Sequence, residues 1–136
     1  FLIESQDGQK MFTGSADQSV RVWDVSTGNC IANLRNHTSG IGALVESKDG
    51  RYVFSGSYDT LATIWDLPTK TVKHTLRGHT SGVSAIIESP DGVWLYTLSW
   101  DMTVRKWNIE AGTCEKVFTG FKGGLGTMAL SPDGCW

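Results

Sequence analysis

Two sets of residues in this 136-residue chain carry the side chains of a hydrolytic triad. Each set supplies a histidine, a hydroxyl group and an aspartate. The first comprises His37, Ser55 and Asp59, and the second comprises His79, Thr97 and Asp101. A hydroxyl activated by histidine, with an aspartate orienting the ring, is the chemistry of nucleophilic acyl transfer. Residue types alone therefore admit a nucleophilic enzyme.

The two sets are copies of one another, displaced by 42 residues along the chain. A catalytic nucleophile occurs once in an active site, whereas a structural motif recurs in every repeat. A buried hydroxyl and a buried imidazole both need hydrogen-bond partners, and such a set provides them. We therefore interpret the sets as structural hydrogen-bond networks and predict no catalytic residue.

Metal and cofactor sites have little support in the sequence. His74 falls in a predicted strand and His79 in the following loop, and no cysteine pair has the spacing of a zinc site. The glycine-rich segment 123–126 lacks the helix and the lysine that a phosphate-binding loop needs. We predict no metal ion and no cofactor.

The 42-residue repeat extends over most of the chain. Trp23, Trp65 and Trp107 follow it, as do four Asp-Gly pairs that begin at residues 7, 49, 91 and 133. In the third unit the pattern predicts short strands at residues 83–88, 94–98, 104–107 and 114–118. A period of about 40–45 residues with four strands is typical of a propeller blade.

Particular motifs carry a family resemblance. Ser57-Tyr58-Asp59 followed by Ile64-Trp65-Asp66 resembles the WD40 signature, and Gly78-His79 with Trp107-Asn108 repeats it in phase. On these residues the chain is identified as a member of the WD40-repeat β-propeller family. Departures from the pattern occur at Asn36 in place of glycine, at Asn108 in place of aspartate and at Phe121 in place of a histidine.

The resemblance implies an all-β, incomplete propeller. Three full blades are expected at residues 1–35, 36–77 and 78–119, with the start of a fourth at 120–136. It also implies that the tryptophans Trp65 and Trp107 join the two networks. Propellers typically have 4–8 blades, so we expect further blades from a longer chain. Homo-oligomerisation is the alternative.

The resemblance also indicates where a partner binds. Propellers of this family bind proteins or peptides on the face formed by the loops between blades and the turns between second and third strands. Tyr58 and Trp100 are large aromatic residues in those turns, a type enriched in interface hot spots. Gly82 and Ser84 are expected in the adjoining loop. The alternative is that the two aromatic residues cover the edge of a neighbouring blade.

Charge, hydropathy and cysteine content bear on the class of partner and on the cellular compartment. The net charge is −2 and the basic residues are scattered, which argues against nucleic-acid binding. No apolar stretch approaches the ~20 residues of a membrane span. Three widely spaced cysteines favour an intracellular protein, cytoplasmic or nuclear.

We predict a non-catalytic WD40 scaffold that mediates protein–protein interactions within a larger complex. The alternative is a regulatory or substrate-recruiting propeller attached to a catalytic or adaptor domain, associated with a kinase or a ubiquitin ligase. The sequence that flanks this chain would distinguish the scaffold from a propeller attached to a catalytic or adaptor domain.

Overall fold

A computed structural model describes residues 1–122, which form twelve β-strands and no helix. The first blade contains β1 (Leu2–Glu4), β2 (Lys10–Gly14), β3 (Ser19–Asp24) and β4 (Cys30–Arg35). The second contains β5 (Ile41–Glu46), β6 (Tyr52–Ser57), β7 (Ala62–Asp66) and β8 (Thr71–Leu76). The third contains β9 (Val83–Glu88), β10 (Trp94–Ser99), β11 (Val104–Asn108) and β12 (Cys114–Phe118). The predicted all-β class is confirmed.

Each blade is a four-stranded antiparallel sheet in which consecutive strands pair. The Asp-Gly pairs explain the first turn of each blade. In the second blade the Asp49 carboxylate accepts hydrogen bonds from the Ser47 hydroxyl at 2.6 Å and the Arg51 amide at 3.0 Å. Gly50 has a φ of +73°, which favours glycine. These contacts fix the hairpin that the repeat predicts.

Two hydrophobic cores lie between neighbouring blades, because strand side chains alternate between the two faces of a sheet. The core between the first and second blades contains Phe12, Val20, Val22, Leu34, Ile41, Leu44, Val53 and Trp65. The core between the second and third contains Phe54, Ala62, Ile64, Leu76, Val83, Ile86, Leu95 and Trp107, among others. The strand tryptophans are therefore core residues, and each blade buries its apolar faces against its neighbours.

Glycines allow the blades to approach closely at the end of the second strand. A Cβ at Gly14 would lie 2.7 Å from Cγ2 of Ile41, and a Cβ at Gly56 would lie 2.6 Å from Cγ1 of Val83. Real side chains do not tolerate such distances, so the first strand of the next blade occupies the space of a missing side chain. Leu98 takes this position in the third blade.

The predicted fourth blade begins at residue 120, and all of it after residue 122 lies outside the described residues. The glycine-rich segment 123–126 lies there too.

Candidate protein-binding face

The second blade brings its four predicted network residues together. His37 Nδ1 lies 2.9 Å from Asp59 Oδ2, and His37 Nε2 lies 2.8 Å from the Ser55 hydroxyl. Trp65 Nε1 donates to that same hydroxyl at 2.8 Å. The side chains of His37 and Asp59 are 0% and 3% exposed. The network therefore joins the loop before β5 to β6, β7 and the turn between them.

The third blade repeats the arrangement. His79 lies 2.8 Å from Asp101 Oδ2 and 2.7 Å from the Thr97 hydroxyl, which also accepts a 2.8 Å hydrogen bond from Trp107 Nε1. Thr103 adds a contact that the sequence reasoning missed, donating to Asp101 Oδ1 at 2.6 Å. A hydroxyl two residues after the turn aspartate, also present as Ser19 in the first blade, is the signal that could have revealed it.

Hydrogen-bond geometry fixes the proton positions in the third blade. The Asp101 carboxylate only accepts, so Nδ1 of His79 carries the proton between them. Burial lowers the pKa of His79 below its usual value, more than the hydrogen bond to Asp101 raises it. Burial also acts to raise the pKa of Asp101, but hydrogen bonds from Thr103, His79 and the Thr80 amide outweigh it and lower that pKa to about 2. The resting state is a neutral histidine beside an ionised aspartate.

This geometry resembles a triad, but its hydroxyls are inaccessible. Ser55 and Thr97 are each 0% exposed, and each already accepts a hydrogen bond from a tryptophan. A substrate carbonyl would have to enter the core to reach them. In the first blade Trp23 donates to the Thr13 hydroxyl at 2.9 Å, while Asp17 pairs with Arg21 at 2.9 Å on the surface.

The networks also shape the turns that carry the two exposed aromatic residues. The second carboxylate oxygen of Asp59 accepts the Leu61 amide at 2.9 Å, and Asp101 accepts the Thr103 amide at the same distance. Each aspartate therefore holds its own turn with Oδ1 while Oδ2 holds the histidine. Thr60 in the first of these turns has a positive φ of 77°, a conformation that costs energy for a side chain other than glycine.

Tyr58 and Trp100 lie beside one another across the junction of the second and third blades. A Cβ at Gly82 would lie 3.0 Å from Cδ1 of Tyr58 and 3.4 Å from Cδ1 of Trp100. The backbone amide of Tyr58 donates to the Gly40 carbonyl at 3.1 Å, and that of Trp100 donates to the Gly82 carbonyl at 2.9 Å. Both side chains remain open to solvent, 57% and 55% exposed. We call Tyr58, Gly82 and Trp100 the aromatic patch.

The structure corrects one detail of the predicted site. Ser84 was expected in the loop before the third blade, although the strand predicted at residues 83–88 includes it; it is the second residue of β9. Its half-buried hydroxyl donates to the carbonyl of Leu98, on the neighbouring strand β10, at 3.3 Å. Gly82 does lie in the loop, where it is buried beneath the two aromatic side chains.

Among residues 1–122 there is no group of three or more histidine, cysteine, aspartate or glutamate side chains placed to hold a metal ion. Over the same residues no helix is long and apolar enough to cross a membrane. Cys30 and Cys114 are free and exposed.

Comparison with known proteins places these observations in a family. The family model "WD domain, G-beta repeat" matches residues 4–24, 28–66 and 70–108, which is most of the chain. The chain belongs to the WD40-repeat family. Repeats of this family serve as scaffolds for protein–protein interaction and are generally non-catalytic.

One curated relative contributes a local match. The chain is 47% identical over 32 residues to mitogen-activated protein kinase kinase kinase A of Dictyostelium discoideum. The match covers 24% of this chain and 3% of that protein.

Proposed function

We propose that this WD40 chain is a non-catalytic scaffold that binds another protein or peptide through the aromatic patch. The observation that carries the proposal is the exposure of Tyr58 and Trp100 on turns whose backbones are held by partly buried hydrogen bonds. A rigid, exposed aromatic pair loses little conformational entropy on binding, which is why such residues dominate interface energetics.

The patch favours a peptide or loop that offers apolar side chains. Ala16 and Gly40, which lie beside Tyr58, are small, and the hydroxyl-bearing residues Ser39 and Ser81 directly precede Gly40 and Gly82 in the chain. Small neighbours leave the faces of both rings accessible, and hydroxyls can pair with the polar backbone of a partner. Tyr58 also contacts both blades at the junction, so covering a blade edge and binding a partner are compatible roles for this residue.

The burial of both hydroxyls supports the non-enzymatic part of the proposal. The scattered basic residues, at a net charge of −2, support a protein partner over nucleic acid. The free thiols of Cys30 and Cys114 fit a reducing compartment, so we propose an intracellular location.

A random peptide display library, selected against the chain, tests the proposal. We expect selected peptides to bind the Trp100→Ala variant at least about tenfold more weakly, as expected for loss of a hot-spot aromatic. Val72→Ala and Val117→Ala remove exposed apolar groups from the outer strands β8 and β12 and serve as matched controls. Selected peptides that bind Tyr58→Ala and Trp100→Ala as tightly as the unaltered chain would refute the patch as the binding site.

A second candidate is a regulatory or substrate-recruiting propeller attached to a catalytic or adaptor domain. The 32-residue match to a protein named as a mitogen-activated protein kinase kinase kinase favours it. Co-elution of the purified chain with the kinase domain of that relative would support this candidate. Peptide binding at the patch without such co-elution would favour the scaffold.

A further inference from the structure

An apolar cleft of about 40 Å³ lies at the junction of the first and second blades, where β3 and the edge strand β4 meet the loop between β7 and β8. Residues of both blades line it, among them Val22, Ala32, Leu34 and Leu67, together with the side chains of Lys10 and Lys70. Val22 and Leu34 belong to the core between these two blades, and no residue of β1 lines the cleft. The cleft is therefore a feature of a complete junction, and we call it the outer cleft.

A histidine ring occupies the corresponding place at the next junction. Ala32 and Lys70 correspond to His74 and Gly112, 42 residues further along the chain. The imidazole of His74 packs so closely on Gly112 that a Cβ there would lie 2.6 Å from the ring. Because alanine stands at the histidine position, the first junction lacks this ring and an apolar space remains. Such a space offers water few hydrogen bonds, so it favours an apolar group as its occupant.

Two lysines give the surroundings of the outer cleft a positive charge. Lys70 Nζ donates to the carbonyl of Ile31 at 3.2 Å. Among residues 1–122, neither Lys10 nor Lys70 forms an ion pair with a carboxylate. The carboxylates of the adjoining turns, Asp7 and Asp24, accept hydrogen bonds from hydroxyl and amide groups within those turns. Both ammonium groups can therefore pair with acidic residues of a partner.

We propose that the outer cleft binds an extended acidic segment of a partner protein, which places one apolar side chain in the cleft and carboxylates beside Lys10 and Lys70. The cavity is far smaller than the roughly 300–1,000 Å³ of pockets that enclose whole small molecules, but it admits the end of one leucine or phenylalanine side chain. The rest of the occupant then lies on the surface, where the lysines select for negative charge. The site is at the opposite end of β7 from Tyr58, so the proposal does not depend on the aromatic patch.

Labelled peptides with one central residue between glutamates test the proposal, with binding to the chain measured by fluorescence anisotropy. A peptide with a central leucine or phenylalanine should bind at least about tenfold more tightly than one with a central alanine, as expected for the burial of one apolar side chain. Replacing the flanking glutamates by lysines should abolish binding. Added salt should weaken binding of the acidic peptides, because it screens the two ammonium groups.

Variants of the chain separate the apolar contact from the charge. Ala32→Leu fills the outer cleft without changing its charge and should weaken binding of the leucine-centred peptide at least about tenfold. Lys70→Glu reverses one charge without filling the cleft and should weaken binding most at low salt. Lys116→Glu alters an exposed lysine on β12 and is the matched control, with unchanged binding expected. Trp100→Ala should also leave this binding unchanged, which distinguishes failure of the outer cleft from failure of the aromatic patch.

Methyl NMR spectra of the unaltered chain keep the proposal falsifiable if a variant does not fold. The leucine-centred peptide should shift the methyl signals of Val22, Leu34 and Leu67, and leave that of Val83 in the other core unchanged. Absence of these shifts would overturn the proposal, as would equal binding of the leucine- and alanine-centred peptides. Isovalerate binding as tightly as the peptide would also overturn it, because the occupant would then be a free small acid. Self-association of the chain that Ala32→Leu abolishes would do the same, because the occupant would then be a second copy.

Discussion

His74 on β8 lies over Gly112 in the loop of the third blade, and the two residues fit only because one has no side chain. A Cβ at Gly112 would lie 2.6 Å from Cγ of the imidazole, and the ring Nε2 lies 2.8 Å from the Glu110 carbonyl. At the first junction the corresponding residues are Ala32 and Lys70, a small residue facing a long one. Lys70 instead donates to the Ile31 carbonyl at 3.2 Å.

Gly112→Ala should destabilise the protein more than Gly28→Ala. Both glycines have a positive φ, +72° and +74°, so each variant costs about 1–2 kcal/mol of backbone strain. Only Gly112 also meets a side chain, which adds about 1–3 kcal/mol of overpacking. Denaturant unfolding of both variants measures the difference. The additional destabilisation by Gly112→Ala should vanish in the double variant that also carries His74→Ala. If it persists there, the imidazole ring is not its cause.

Asp59→Ala should lower the free energy of unfolding by about 1–3 kcal/mol. The variant leaves the buried imidazole of His37 and the amides of Thr38 and Leu61 without their carboxylate. Asp17→Ala removes the corresponding aspartate of the first blade, whose side chain is 42% exposed, and is the matched control. If the two variants have equal denaturation midpoints, the second-blade network does not stabilise the fold.

As the pH is lowered, the free energy of unfolding should decrease in two separate pH windows. The folded state lowers the pKa of His79, so the unfolded chain takes up that proton first and stability decreases below about pH 6.5. The folded state also lowers the pKa of Asp101 to about 2, so its contribution is complete above about pH 4 and is lost towards pH 2. Denaturation midpoints between pH 8 and 4 measure the first window. In the His79→Gln variant the denaturation midpoint should depend less steeply on pH over this range. An unchanged dependence would show that His79 is not the group responsible.

Asn36→Gly should cost about 1 kcal/mol although glycine is the residue expected at this position from the family. Its amide donates to the hydroxyls of Thr63 and Thr75, both at 3.1 Å. The converse change, Gly78→Asn, should cost more, since a Cβ at Gly78 would lie 3.0 Å from Cζ of Arg105. Combining Gly78→Asn with Arg105→Thr removes the clash and supplies the counterpart of Thr63, while the counterpart of Thr75 is Val117, so the combination should recover part of the lost stability. Failure to recover would mean that the two positions are not coupled.

The sequence alone determined the class of fold, because its signals are local and repeated. The turn chemistry of Asp49-Gly50 fixes a hairpin within a few residues, and the alternation of short strands follows from it. In the third blade the predicted and the observed strand ends agree to within one residue, since β10 and β11 each extend one residue further than predicted. The grouping of His37, Ser55, Asp59 and Trp65 was implied by the resemblance to the WD40 family, and its recurrence 42 residues later favoured a structural role over a catalytic one.

Tertiary structure decided what the repeat cannot encode, namely the contacts between unlike blades. The pairing of Glu46 with the Gln6 amide, the fit of His74 on Gly112 and the position of Tyr58 over Gly82 each join residues of different repeats. A periodic sequence makes equivalent positions look alike, whereas packing depends on which two side chains meet across a junction. Ser84 is another such case: the strand predicted at residues 83–88 includes it, but the donation of its hydroxyl to the Leu98 carbonyl followed only from the pairing of β9 with β10.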